Sequence, residues 1–367
     1  MREGWEYKKL GEVCHITMGQ SPDGKSINDN EGVEFHQGKT CFGERTLGVS
    51  ILFSNAPVKL AEAHSVLLCV RAPVGYPNIT NRKICIGRGL CALYAKKDID
   101  NTFLFYSLLG KQSHFEKNAT GSTFKAISSK VISNTEIPLP PKSIQLAIVS
   151  ELDKINELIR LKKEQLKDYD NLAQSIFYEM FGDPVENEKG WEVKKMKDVC
   201  THIVDCPHST PKKADTTTNY PCIRTSELKG GTISWSTMQY LEKDEYEKRI
   251  ARLKPETGDI IFGREGTIGD AVILPSGYNF SLGQRTMLIR TDNEMIINTF
   301  MHRTLMSEWI KHQIEYVNVS STVAHVNIKD FKLFDVPLPP LSLQHLFAQR
   351  IEQIEHQKAE VQKAIAD

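Results

Sequence analysis

The sequence predicts a duplicated architecture, in which two globular blocks are each followed by a long helix and the two helices pair as an antiparallel coiled coil. Three observations carry this. The stretch Gly4-Trp5-Glu6-Tyr7-Lys8-Lys9-Leu10-Gly11-Glu12-Val13-Cys14 recurs as Gly190-Trp191-Glu192-Val193-Lys194-Lys195-Met196-Lys197-Asp198-Val199-Cys200, with seven of eleven positions identical at an offset of 186. Ile137-Pro138-Leu139-Pro140-Pro141-Lys142-Ser143-Ile144-Gln145 recurs as Val336-Pro337-Leu338-Pro339-Pro340-Leu341-Ser342-Leu343-Gln344 at an offset of 199, so the second copy is 13 residues longer inside. After each Pro-rich signature, apolar residues repeat at alternating spacings of four and three, the seam pattern of a coiled coil.

The chain therefore divides into a first block (1–142), a central helix (143–181), a second block (182–341) and a distal helix (342–367). Pro140-Pro141 cannot lie inside a helix, and Ser143 and Ser342 are natural N-caps. The first seam reads Ile148, Leu152, Ile155, Ile159, Lys162, Leu166, Tyr169, Ala173, Ile176 and Met180, and Gly182 and Pro184 stop that helix. The second reads Phe347, Ile351, Ile354, Lys358, Val361 and Ile365, in the same register. A helix of 39 residues would be about 58 Å long, too long to lie on one block of this size, so a protruding rod is favoured over packing on its own block. The first helix leads away from block one, and its copy must leave block two in the equivalent direction, so paired helices run antiparallel about a pseudo-two-fold axis. Lys162 and Lys358 stand at seam positions, where a charge either fixes register or snorkels out to water, and snorkelling is preferred here.

A length of 367 residues favours two domains or one domain with a large appendage, and 40% hydrophobic with 25% charged residues is globular composition. No apolar run reaches the roughly 18 residues of a membrane span. The start Met1-Arg2-Glu3-Gly4-Trp5-Glu6 has no apolar stretch behind a basic residue, so a cytoplasmic location without membrane partners is expected. Eight cysteines without a C-x-x-C pair read as reduced and buried. Net charge is zero, with residues 1–142 at +5 and the remaining segments at −2, −2 and −1. Any contact with nucleic acid is thus local or shared with a partner.

The two copies agree at their ends but share little identity between residues 15–120 and 201–319, so one scaffold carries two different surfaces. Two related readers about a near-dyad match a duplex, and a stiff spacer would set the distance between half-sites. The paired Gly-Trp starts, Gly19-Gln20-Ser21-Pro22, His208-Ser209-Thr210-Pro211, Val70-Arg71-Ala72-Pro73-Val74-Gly75, Arg264-Glu265-Gly266-Thr267-Ile268-Gly269, Gln284-Arg285 and the twice-used Pro-Leu-Pro-Pro with Ser-x-Gln together resemble the specificity subunits of type I restriction–modification enzymes. The resemblance covers residues 4 to 365. It implies two target-recognition domains of mixed α/β structure joined by two long antiparallel helices. It further implies recognition of an asymmetric bipartite sequence in double-stranded DNA and assembly of two methyltransferase (M) subunits, with or without restriction (R) subunits. S-adenosylmethionine, ATP and magnesium would belong to those partners, and this chain would carry no cofactor and no catalytic residue. The distal helix, 26 residues against 39, departs from the pattern and leaves the far end of the rod unpaired or completed by a partner. The rival readings are a specificity subunit of another phage-defence methyltransferase system and a coiled-coil scaffold that never meets DNA.

DNA contacts are expected from basic and small polar residues in Gly-rich stretches, since Lys and Arg meet phosphates while Arg, Asn and Gln read base edges. In the first block these are Lys25, Arg71, Arg82, Lys83 and Arg88, with Ser122, Thr123 and Lys125 in a loop ahead of the helix. In the second they are Lys212, Lys213, Arg224, Arg264 and Arg285, with Ser321, Thr322 and His325 in the equivalent loop. Those Ser-Thr loops either hold a phosphate or merely turn the chain. Gly19 to Ser26 satisfies the phosphate-loop pattern G-x-x-x-x-G-K-[ST], but the next residues, Ile27-Asn28-Asp29-Asn30, read as loop rather than the helix such a site needs, so a recognition loop with an exposed lysine is preferred. Cys200, His202, Cys206 and His208 come from one segment, whereas zinc sites usually take two pairs from separated ones, and no metal is expected.

Overall fold

A computed structural model describes residues 5–121, 125–183, 185–266, 268–318 and 325–366. The chain has a mixed α/β fold built twice. It forms two compact units, Met1–Arg160 and Leu161–Asp367, and the division falls inside the central helix.

The duplicated ends acquire a structural meaning at once. In the first unit Glu6–Lys9 pairs antiparallel with Glu136–Leu139, and in the second Glu192–Lys195 pairs antiparallel with Asp335–Leu338. Each block is therefore closed by pairing its first strand with the Pro-rich strand that precedes its helix. The two repeat signatures are the two halves of one ribbon.

Inside each block lies a four-stranded antiparallel sheet of the same order: Cys14–Met18, Leu90–Ala95, Val66–Cys69, Pro77–Ile79 in the first unit, and Cys200–Asp205, Thr286–Thr291, Ile260–Gly263, Ala271–Ile273 in the second. Its third-position strands are buried at every residue because both faces are covered. Val66, Leu68 and Val70 enter one core while Leu67 and Cys69 enter another. Ile260 and Phe262 are likewise divided from Ile261. The interiors differ around this shared frame. The first unit adds a five-stranded sheet in the order Ile27–Asn28, Phe53–Ser54, Val33–His36, Ile84–Ile86, Leu60–Ala61, where the second adds three strands, Gln239–Tyr240, Pro221–Ile223, Ser281–Leu282. All eight cysteines are free, and burial pushes the thiols of Cys14, Cys69, Cys91 and Cys200 up to about 12.

The central helix is continuous over Lys142–Phe181, and the distal helix spans Leu341–Ala366. Both are anchored by the glutamine of the Ser-x-Gln motif, and both glutamines are fully buried. Gln145 accepts a hydrogen bond from the Asp100 amide (2.9 Å) and donates to the carbonyls of Asp98 and Pro140 (2.9 Å each). Gln344 accepts from the Ile297 amide (2.9 Å) and donates to the carbonyls of Met295 (3.2 Å) and Pro339 (2.8 Å). Each therefore ties the first turn of its helix to the loop that opens a second helix, Asn101–Leu109 or Asn298–Leu305.

Within the second unit the end of the central helix packs antiparallel on the distal helix. Phe181 meets Phe347 edge to face at a ring separation of 5.3 Å, and eleven residues before Phe181, Asp170 meets Lys358, eleven residues after Phe347. Phe347, Ile351, Ile354 and Val361 are buried, and Ile365 is half-buried. On the central helix Ile148, Leu152, Ile159, Leu166 and Ile176 are half-buried, while Ile155 is 53% exposed. The most buried stripe near its end is Ala173, Phe177 and Phe181, displaced from Ile176 and Met180, because this part faces Phe300 of the domain as well as Phe347 of the distal helix. Lys358 corrects the preference for snorkelling: its side chain is only 9% exposed, and Nζ lies 2.7 Å from Asp170 Oδ1 and 3.1 Å from Glu355 Oε1. Burial pulls its pKa down, but these two carboxylates outweigh it and hold the ammonium above its ordinary value. Lys162 is half-buried on the central helix.

Candidate nucleic-acid interface

In each unit three loops meet at one end of the four-stranded sheet, and the backbone bonds that hold them are the same in both. Val70 N donates to Gly89 O (2.9 Å) as Arg264 N does to Arg285 O (3.0 Å). Ile127 N donates to Val70 O (3.0 Å) as Val326 N does to Arg264 O (2.9 Å). Gly75 N closes on Cys69 O (2.9 Å) as Gly269 N closes on Gly263 O (3.3 Å). The bridge between Arg71 and Ala126 is matched by one between Glu265 and His325. Position by position, Arg71 thus corresponds to Glu265, and Val70 to Arg264. Gly19 donates to Leu90 O (2.9 Å) at this end, and a Cβ there would lie 2.1 Å from Gly87 O, so only glycine permits the approach.

In the first unit this frame gathers Arg71, Arg88 and Lys125, all exposed. Neither Arg71 nor Lys125 has a side-chain hydrogen bond or ion pair among the described residues; the Arg88 amide donates to the Ser21 hydroxyl oxygen (3.5 Å). Beside Arg71, a recess of about 140 Å³ is lined by Gln37, Gly38, Lys39 and Gly89, and Lys39 stands 4.2 Å over the Tyr76 ring. Residue order does not single out Gln37 and Lys39, because nothing local distinguishes them. Only the parallel pairing of Val33–His36 with Ile84–Ile86 brings them beside Gly87 and Gly89.

Other predicted contacts lie elsewhere or are committed. Arg82 forks onto Glu34, Nε to Oε2 at 2.5 Å and Nη2 to Oε1 at 2.6 Å, and donates to the Leu47 and Gly48 carbonyls. Burial raises the Glu34 carboxyl, but Arg82, the Ser50 amide and His36 outweigh it and hold it at about 2. This is a loop-fixing pair rather than a free reader. Lys83 pairs with Glu62 at 2.7 Å on the surface. Lys25 is exposed on a single 3-10 turn, Gly24–Ser26, which runs into the strand Ile27–Asn28, so no α-helix succeeds the phosphate-loop pattern. Ser122 and Thr123 lie outside the described residues.

In the second unit Arg264 is buried with Nε 3.3 Å from Asp205 Oδ1. Arg285 is exposed, adopts the left-handed conformation (φ 66°), and places Nε 3.2 Å from Glu265 Oε2. Gln284 donates to His208 O (2.7 Å) and accepts from Thr210 (3.5 Å). His325 is exposed at the same rim. Arg224 is spent on the fully buried Glu227, with Nη2 2.6 Å from Oε1. Lys212 and Lys213 are exposed, the latter bridged to Leu241. Ser321 and Thr322 lie outside the described residues. Cys200 packs on one core of this unit and Cys206 belongs to another, and no group of three His, Cys, Asp or Glu side chains suited to a metal occurs among the described residues.

Among the described residues the two equivalent rims supply hydrogen-bond donors and acceptors. No helix among the described residues is long and apolar enough to cross a membrane.

Comparison with known proteins accords with this duplication. The family model described as "Type I restriction modification DNA specificity domain" matches twice, over residues 2–168 and 188–367. The chain is 39% identical over 178 residues to the putative type I restriction enzyme MjaX specificity subunit of Methanocaldococcus jannaschii, a match spanning 47% of this chain and 42% of that one, less than half of either. It is 22% identical to the MjaVIII specificity subunit of the same organism over 99% of this chain and 90% of that one. Among solved structures, the S subunit of a type I restriction–modification system from M. genitalium covers 100% of this chain and 96% of its own with a TM-score of 0.52 at 14% identity, which shows a common fold.

Proposed function

The chain belongs to the type I restriction–modification DNA specificity family, and from that premise we propose that it reads an asymmetric bipartite sequence in double-stranded DNA and seats two methyltransferase subunits, with or without restriction subunits. It makes and breaks no bond itself. S-adenosylmethionine, ATP and magnesium act on the partner chains.

The observation that carries this reading is the pair of equivalent rims with unlike side chains, one in each unit, whose blocks are joined along the chain by one continuous 40-residue helix. Identical backbone frames dock on a duplex in the same way, while unlike residues demand different bases, which makes the target asymmetric. Arg71, Arg88 and Lys125 would contact the first half-site, Arg285 and His325 the second, with Lys25, Lys212 and Lys213 steering towards phosphates. The helix sets the spacing.

Co-expression with a neighbouring methyltransferase, followed by genome-wide mapping of methylated adenines, tests the proposal. A bipartite motif is expected. Inserting seven residues after Lys163 lengthens the helix by about 10 Å and should change the spacing with both half-sites intact, whereas exchanging residues 15–120 should change one half-site only. Altered half-site sequences after the insertion would refute the spacer role. Absence of salt-sensitive binding to duplex DNA would refute the function.

A further inference from the structure

The two rims carry opposite charge at one equivalent position. Arg71 and Glu265 come after the third-position strands Val66–Cys69 and Ile260–Gly263, precede the equivalent Gly75 and Gly269 closures, and bridge to the equivalent Ala126 and His325. Arg71 is exposed; the Glu265 side chain is 30% exposed, with Oε2 3.2 Å from Nε of the outward Arg285. Arg264, the neighbour that resembles Arg71 in sequence, is buried, with Nε 3.3 Å from Asp205 Oδ1 and Nη2 4.0 Å from Glu265 Oε1.

A carboxylate on a DNA-facing rim is chemically restrictive. It accepts hydrogen bonds and donates none, it is repelled by every phosphate, and the only donors along duplex groove edges are base amino groups. Arg285, and more distantly Arg264, offset part of the charge, and the other Arg285 donors have no side-chain partner among the described residues. Glu265 and Arg285 together thus present one acceptor and one fork of donors side by side, the complement of a C·G pair. The equivalent Arg71 presents donors alone, the complement of guanine N7 and O6.

Resting on the reading given above, we propose that Glu265 is a specificity-determining residue of the second half-site that accepts from the amino group of a cytosine, and that Arg71 is its donor counterpart in the first. The test uses the complete methyltransferase complex with the variants Glu265→Gln and Arg71→Gln, assayed by methylome mapping and by competition between duplexes altered one base pair at a time. Glu265→Gln should lower discrimination at a single C·G pair of the second half-site at least tenfold and leave the first half-site unchanged; Arg71→Gln should do the reverse. Unchanged discrimination at every pair, or a weakening of binding uniform across all sequences with a shallower salt slope, would overturn the proposal by showing a structural or phosphate-contacting role. A wild-type complex that methylates no bipartite site would instead overturn the functional reading, and this inference with it.

Discussion

Replacing Gln145 with leucine removes three hydrogen bonds from a fully buried side chain without a large change of volume. The Asp100 amide is deprived of the acceptor that ties it to the helix, and the carbonyls of Asp98 and Pro140 are deprived of a donor. An orphaned buried backbone group costs about 1–3 kcal/mol. The carbonyls recover part of that from water, so the change should cost about 3 kcal/mol in all. For a unit of this size that lowers the midpoint of thermal unfolding by about 6–12 °C. Gln344→Leu removes the matching three bonds and should cost the same. Calorimetry of the full chain measures both. A decrease of less than about 2 °C in both variants would refute the clamp, and a large effect in one with none in the other would refute the equivalence. In the assembled complex the same variants should loosen the helix exit angle, so that targets with spacers one base pair longer or shorter are methylated relatively better.

Asp170→Ala should destabilise the second unit by about 2 kcal/mol in guanidinium melts at neutral pH, because it leaves the buried Lys358 ammonium with Glu355 alone; Lys358→Met, which leaves two carboxylates that are 61% and 46% exposed, should cost less, and the opposite order would contradict the account. Since the folded pKa of Lys358 is raised, its contribution is complete below pH 10.5 and fades as pH climbs through the folded value, so the penalty of Asp170→Ala should shrink in strongly alkaline buffer. Acid should act on both units. Glu34, held at about 2 against 4.5, gives up its stabilising effect as pH falls through that interval, and buried His302, lowered by burial to about 4 against 6.5, withdraws stability between those values because it must charge, so urea midpoints should decline from about pH 6 downward and Arg82→Met should remove the lower part of the decline. Arg88→Glu with Lys125→Glu should weaken binding to any duplex and flatten its salt dependence by about one unit of slope for each phosphate no longer neutralised, while leaving the thermal midpoint unchanged.

Much of the plan was legible in residue order alone. Pro140-Pro141 and Pro339-Pro340 keep the chain extended and four-three periodicity marks the helices beyond them, since these are constraints between near neighbours. The N-cap reading of Ser143 and Ser342 is corrected, because the helices already begin at Lys142 and Leu341, with the Pro141 and Pro340 carbonyls accepting the first bonds. The duplication was legible for a related reason: the matching ends are the two strands of one closing ribbon, whose pairing demands a particular pattern, whereas the interiors are free to diverge. The site was legible only as a collection of basic residues. Arg82, Arg224 and Arg264 look as available as Arg71 in sequence, yet each is claimed by a carboxylate that is close in space, Glu34 lying 48 positions from Arg82 and Asp205 lying 59 positions from Arg264.

Residue order thus settled that two long helices form and that each follows a copy of one block, because proline sterics and helical periodicity are local; the strands inside the blocks it did not mark. Tertiary packing alone decided that Arg82 and Arg264 are committed while Arg71 stays exposed, that Lys358 turns inward to Asp170, and that Glu265 rather than Arg264 stands where Arg71 does; Arg224 is claimed locally, by Glu227 three residues on. A side chain's freedom depends on what the fold brings within about 4 Å of it, and that distance is not written in any one stretch of the chain.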